Sequence, residues 1–306
     1  GDVAPVQGSK VFLPSGGSDS IDPATKMARR YWQLLGETER TLLVTREHAY
    51  HGMHVAGTSL AGIEANAAGH GPLVGDVVKV EWDSAAALRE AIAFAGPQRV
   101  AAFFCEPVIG AGGVFAPPEG YLAEVRAICR ETGVLFVADE VITGFGRVGD
   151  WFASSRWSLE PDIVTCAKGI TSGYLPMGAV IAAPRVAEPF WRPNAGLWRH
   201  GYTYSGHATA AAAALAKLEL MERETLPKRS LELEQDLASA VLPGPGDDPS
   251  SGLHELRAQL QARFPLFLSC AQAAGNAARA SRRRPRSRST IRPAAKWAWA
   301  PPARSR

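Results

Sequence analysis

Two charged residues, each ending a short apolar run, have the types and positions for carbonyl and heterocycle chemistry. Val134-Leu-Phe-Val-Ala-Asp139 ends in a carboxylate, and Ile163-Val-Thr-Cys-Ala-Lys168-Gly169 carries an amine just past its apolar residues. Continuous runs of Val, Ile, Leu and Phe this short read as strands buried on both faces, the habit of parallel sheets. Open α/β sheets bind ligands beyond the carboxyl ends of their strands. Asp139 and Lys168 therefore fall where a cofactor would lie. A Lys that forms a Schiff base and an Asp that holds a pyridinium nitrogen are the side chains that pyridoxal phosphate (PLP) chemistry calls for. Each also has an ordinary reading. A buried Asp139 needs a partner, which a protonated pyridine or a nearby Arg such as Arg147 would supply. Lys168 is either a nucleophile whose apolar neighbours lower its proton affinity or a strand-end lysine reaching solvent. Val141 points to the same side as Asp139 if the strand continues, where it could pack against a ring face.

Three further segments carry candidate groups. Ser15-Gly16-Gly17-Ser18-Asp19 lies between a short strand and a helix. Glycines and helix amides there could hold a phosphate, with Ser18 adding a hydroxyl and serving as N-cap; a plain capped Gly-rich turn has the same residues. His48-Ala-Tyr50-His51-Gly52-Met-His54 follows another strand, and Tyr50 is either a stacking aromatic or a core one. The three histidines raise a metal site, but no Cys or acid accompanies them, so no metal is expected. Glu106, after Cys105, either hydrogen-bonds substrate or cofactor or holds its loop by pairing with an Arg. The loop role is the favoured one.

The elements that must position these groups are legible from periodicity. Strands are predicted at 11–13, 41–45, 77–82, 100–105, 134–138, 163–166 and 179–182. Helical stripes are predicted at 19–35, 119–131 and 208–222, with Ile21, Ala24, Met27/Ala28 and Tyr31 on one face of the first. The βα alternation predicts an α/β fold with a mostly parallel, doubly wound sheet. No apolar run reaches membrane-span length. The four cysteines show neither CxxC nor metal spacing, which fits buried thiols in a reducing, cytoplasmic setting.

The net charge of +3 hides an asymmetry. Residues 243–306 hold 12 Lys+Arg and 3 Asp+Glu, leaving 21 and 27 for residues 1–242. Two domains are expected: a large domain over 1–242 and a Pro/Arg/Ala-rich tail over 243–306, disordered or translated out of frame. A nucleic-acid-binding arm is the weaker reading of that tail, because the body carries no nucleic-acid motif.

In order and spacing the segments resemble the class III (ω-type) PLP-dependent aminotransferases. The resemblance runs over residues 9 to about 240 through Ser15–Asp19, Tyr50-His51-Gly52, Glu106-Pro107…Gly112-Gly113, Asp139-Glu140-Val141…Gly144-Phe145-Gly146-Arg147, Pro161-Asp162-Ile163…Lys168-Gly169 and His200–His207. It implies the large domain of the fold type I PLP-dependent transferases. It also implies transfer of an amino group between an amine or amino acid and a keto acid or aldehyde, in a homodimer with shared sites. By that resemblance Lys168 bonds PLP and moves the proton, Asp139 binds the pyridine nitrogen, and Val141 and Tyr50 sandwich the ring. Gly17 and Ser18 hold the phosphate, with Gly16 beside them. Thr203 reaches the cofactor phosphate of the partner subunit, and Glu106 lies toward the substrate. The turn departs from the family's Ser-Gly-Ser-Glu by reading Gly16-Gly17-Ser18-Asp19. The segment before it is short, and the small C-terminal domain with its substrate Arg is not recognisable. An aminomutase or decarboxylase of the same fold, or an inactive remnant of it, are the alternatives.

Overall fold

The computed structural model describes residues 3–241. The chain divides into a unit Gly1–Gln235 and a second from Asp236 onward. The expected tail at 243–306 lies outside the described residues, as does Cys270.

The strands are β1 (Lys10–Phe12), β2 (Leu42–Arg46), β3 (Val77–Val80), β4 (Val100–Cys105), β5 (Leu135–Asp139), β6 (Ile163–Cys166) and β7 (Ala179–Ala182). They form one sheet in the order β1-β7-β6-β5-β4-β2-β3. β3, β2, β4, β5 and β6 are parallel to one another. β7 runs antiparallel to both β6 and β1. The link from β6 to β7 carries only the 3₁₀ turn at Lys168–Ile170, not the crossover helix that a parallel return usually uses.

The helices are α1 (Gly17–Leu34), α2 (Val55–Leu60), α3 (Glu64–Ala67), α4 (Ala85–Ala95), α5 (Tyr121–Thr132), α6 (Ala153–Arg156), α7 (Pro184–Ala187), α8 (Ala208–Arg223) and α9 (Leu226–Val241). None among the described residues is long and apolar enough to cross a membrane. Every residue of β4, β5 and β6 is buried. Successive side chains of a strand face opposite sides of the sheet. Phe103, Phe136 and Val164 pack with Leu88, Ile92, Val125 and Ile128 of α4 and α5 on one face. Phe104, Val137 and Ile163 pack with Ile21, Ala24 and Ala28 of α1 on the other. This is the doubly wound arrangement. Cys105, Cys129 and Cys166 are buried free thiols within it.

α1 carries Pro23 in its interior. A proline has no N–H to give, so the carbonyl four residues back loses its helical donor. The Tyr202 hydroxyl donates to that Asp19 carbonyl at 3.2 Å. The 200–207 segment is thereby tied to the first turn of α1.

Candidate active site

Because β2, β4, β5 and β6 are parallel, their carboxyl ends share one edge of the sheet. β1 runs the same way, since both it and β6 oppose β7. The segments leaving that edge converge on a cavity of about 210 Å³. Gly17, Ser18, Tyr50, Glu106, Asp139, Val141 and Lys168 all line it. Two of the expected site residues do not. Gly16 caps α1 from behind, its carbonyl accepting the Ser20 N–H and hydroxyl. Thr203 is exposed in the turn before α8.

Asp139 ends β5 and is 3% exposed. Its partner is not Arg147. His51, 1% exposed, places Nδ1 2.7 Å from Asp139 Oδ2. The other oxygen accepts the Val141 N–H at 3.2 Å. A carboxylate beside Nδ1 makes that nitrogen the donor and fixes the ring's orientation. His51 Nε2 is buried with no partner among the described residues. In the sequence His51 stands out only within the Tyr50-His51-Gly52 motif and as one of three histidines that raise a metal site. The histidines in fact separate: His54 faces Asp19 at 3.4 Å, and the His48 ring lies 5.0 Å from that of Phe115. The signal that could have exposed the pair was a polar ring beside Tyr50, at a strand end, needing a partner once buried.

Val141 reaches the cavity by a different route from the one expected. β5 stops at Asp139, and the following turn, not a continued strand, brings Val141 round. Glu140 anchors that turn. It is buried and accepts from the Ala153 and Ser154 amides and the Thr143 hydroxyl. Burial raises its carboxyl above the usual range, against the pull of those donors.

Glu106 fixes the opposite wall. Its carboxylate accepts the Tyr50 N–H at 2.9 Å and the Gly110 N–H at 3.1 Å. The loop role expected for it is therefore filled by backbone amides, while the carboxylate still lines the cavity. Burial pushes its pKa up, and neighbouring His51 opposes that. Arg46, fully buried, donates to the Glu106 carbonyl and to the Trp82 carbonyl.

The floor of the cavity is the start of α1. No side chain caps it. Ser18 is a helical residue, not the expected N-cap, and its Oγ accepts the Met53 N–H at 3.1 Å. That leaves the hydroxyl hydrogen free to donate into the cavity. The close packing demands glycine twice. A Cβ on Gly52, at φ +86°, would stand 2.4 Å from Ser18 Oγ, and one on Gly17 would stand 3.1 Å from Val141 Cγ1. The unpaired first amides of an 18-residue helix, with its dipole, suit an anion at this point.

Lys168 begins a short 3₁₀ turn after β6 and has φ +37°. A non-glycine residue held there marks a backbone constrained by its surroundings. Lys168 is exposed, not shielded among apolar neighbours as its sequence context suggests. It lines the 210 Å³ cavity and a second one of about 680 Å³.

A family model described as aminotransferase class-III matches residues 1–258. The chain belongs to the class III aminotransferases. The chain is 40% identical over 241 residues to a probable aminotransferase of Mycobacterium tuberculosis, covering 73% of this chain and 51% of that one. It is 38% identical over 242 residues to the putrescine–pyruvate aminotransferase of Pseudomonas aeruginosa, covering 74% of this chain and 53% of that protein. An amine transaminase from an uncultivated Pseudomonas species, solved in a PLP-bound form, aligns with TM-score 0.73 and 39% identity over 76% of this chain and 57% of that one. The chain thus spans about half the length of the curated relatives it matches.

Proposed function

We propose that this class III aminotransferase chain binds PLP in the 210 Å³ cavity and moves an amino group between an amine or amino acid and a keto acid or aldehyde. The observation that carries the reading is the convergence of a buried Asp139, an exposed Lys168 amine and the uncapped start of α1 on one cavity. The residues fit the cofactor part by part. The α1 amides and the Ser18 hydroxyl match a phosphate. The missing Cβ atoms of Gly17 and Gly52 let Val141 and Ser18 close against the backbone there. Tyr50 and Val141 supply ring contacts. Asp139 supplies the carboxylate that a pyridine nitrogen needs.

When bound, PLP supplies an aldehyde with which amines condense and a ring that accepts the electron pair of a breaking C–H bond. The chain's own residues orient and exchange protons. Asp139 would hold a proton at the ring nitrogen. His51 locks the Asp139 carboxylate through its 2.7 Å contact. Lys168 would hold the cofactor through its amine, and its Nζ would be the group placed to take up and give back a proton. Glu106 bounds the substrate end and holds Tyr50 in place by the 2.9 Å backbone bond. Thr203, exposed on its turn, reaches the cofactor phosphate of a second subunit in a homodimer.

The test is turnover. The chain with PLP, a panel of primary amines and pyruvate should form alanine, and K168A and D139N should each lower the rate by roughly a hundredfold or more. A chain that binds PLP yet forms no alanine from any amine, or variants as active as the parent, would overturn the reading.

A further inference from the structure

The loop that follows Tyr50 is fastened to the first turns of α1 by more than its contacts with Ser18. His54 Nδ1 stands 3.4 Å from Asp19 Oδ1 and 3.8 Å from Asp22 Oδ2. Asp19 and Asp22 are three positions apart in the helix, so their side chains share one face of it. His54 directly follows Met53, whose N–H donates to Ser18 Oγ at 3.1 Å. An imidazole and an amide on adjacent residues thus hold the loop to α1.

Carboxylates beside an anion site oppose the anion. The amides and dipole at the start of α1 draw a phosphate there, while Asp19 and Asp22 repel it. Asp22 Oδ1 is buried with no hydrogen-bond partner among the described residues, so bulk water does not reach that oxygen. Among the described residues no Lys or Arg pairs with either carboxylate. The other groups facing the pair supply no cation. Lys26 Nζ lies 3.1 Å from His200 Nδ1 instead. Burial first, and Lys26 second, hold His200 below the ordinary imidazole range. Burial, then Asp22 and Asp19, push the Tyr202 hydroxyl up to about 12, so it stays neutral. His54 is left as the group that neutralises the pair when protonated. Its side chain is 45% exposed and exchanges protons with solvent.

We propose that His54 is a positioning residue for the cofactor phosphate: as an imidazolium it neutralises Asp19 and Asp22 and holds Met53 against Ser18, and the grip on the phosphate loosens when the ring loses its proton. This deepens the PLP reading and rests on it for the identity of the anion. The direction follows from charge. Raising the pH removes the positive charge that faces the two carboxylates and restores their repulsion of a phosphate at the helix start.

The test is titration of the full chain with PLP and with pyridoxal, which has the same ring and aldehyde but no phosphate. Binding is followed by visible absorbance from about pH 5 to 8, where an imidazole changes charge. H54N should weaken PLP about threefold or more at the acid end, and its difference from the parent should close as the pH rises. Pyridoxal binding should be the same in both chains. H54K, which keeps a cation, should hold PLP about as tightly as the parent does at the acid end. In a chain already carrying D19N and D22N, H54N should have no further effect. An H54N chain that matches the parent at every pH, equal weakening of PLP and pyridoxal, or a loss undiminished by D19N and D22N would overturn the proposal. If no cofactor band forms, calorimetry with inorganic phosphate separates the two readings. Phosphate binding weakened by H54N would uphold the role of His54 and count against the PLP reading alone, whereas absent phosphate binding, or binding indifferent to H54N, would overturn that role as well.

Discussion

His51 Nδ1 and Asp139 Oδ2 lie 2.7 Å apart, with both side chains buried at the carboxyl edge of the sheet. The two residues are 88 positions apart in sequence, and the contact joins the loop after β2 to the end of β5. It determines which way the carboxylate faces, and so which oxygen is available to a ring nitrogen. Removing the imidazole leaves Asp139 buried with one amide donor, from Val141. H51A is expected to cost about 1.5–3 kcal/mol in urea unfolding, the range for a hydrogen bond to a charged group. H51N can place an N–H near the old Nδ1 position and should recover part of that loss, together with PLP affinity. Unfolding curves for H51A that overlay the parent would remove His51 from its positioning role.

Gly52 and Ser18 touch too closely for any side chain. A Cβ at Gly52 would stand 2.4 Å from Ser18 Oγ and 2.8 Å from Ser18 Cα, and the backbone sits at φ +86°. Gly69 has a similar φ of +81° but open space around it. G69A should therefore cost only the left-handed backbone term, roughly 1–2 kcal/mol. G52A should cost more than that and also weaken PLP binding, because the Ser18 hydroxyl is displaced. Equal losses in the two variants, with PLP affinity intact in both, would show that the contact has no role in the site.

Lys217 gives a pH signature. Its folded pKa is lowered to about 8 from an ordinary 10.5, by burial. Between those values the unfolded chain binds the proton more tightly than the folded one, so stability rises with pH across the window. Below it the native state carries the full cost of a half-buried ammonium. K217M is thus expected to be more stable than the parent at pH 7, with the gap closing as pH rises from about 8 to 10.5. Parallel stability curves for the two chains over that range would contradict a Lys217 ammonium buried with no hydrogen-bond partner among the described residues.

Much of this scaffold can be read directly from residue order. β4, β6 and β7 coincide with the apolar runs at 100–105, 163–166 and 179–182, because strands buried on both faces leave continuous hydrophobic stretches. The stripe of Ile21, Ala24 and Ala28 locates α1, expected over 19–35, but the helix begins two residues earlier, at Gly17. Pairing direction is less legible: nothing in Ala179–Ala182 reveals that this strand runs antiparallel. Partners distant in sequence are the least legible. Asp139 with His51, Glu106 with the Tyr50 amide, and Pro23's stranded carbonyl with Tyr202 each join segments whose proximity only the folded sheet creates. The individual residues could be named from their types, while the shape of the site required the fold.

The most direct measurement is the visible absorption of the full chain mixed with PLP, before and after K168A. An amine placed as Lys168 is, exposed at φ +37° on the edge of the Asp139 cavity, should give a long-wavelength band distinct from free PLP, and the substitution should abolish it. A parent chain with no such band, or a band that survives in K168A, would contradict the assignment of this cavity to PLP and of Lys168 to its attachment.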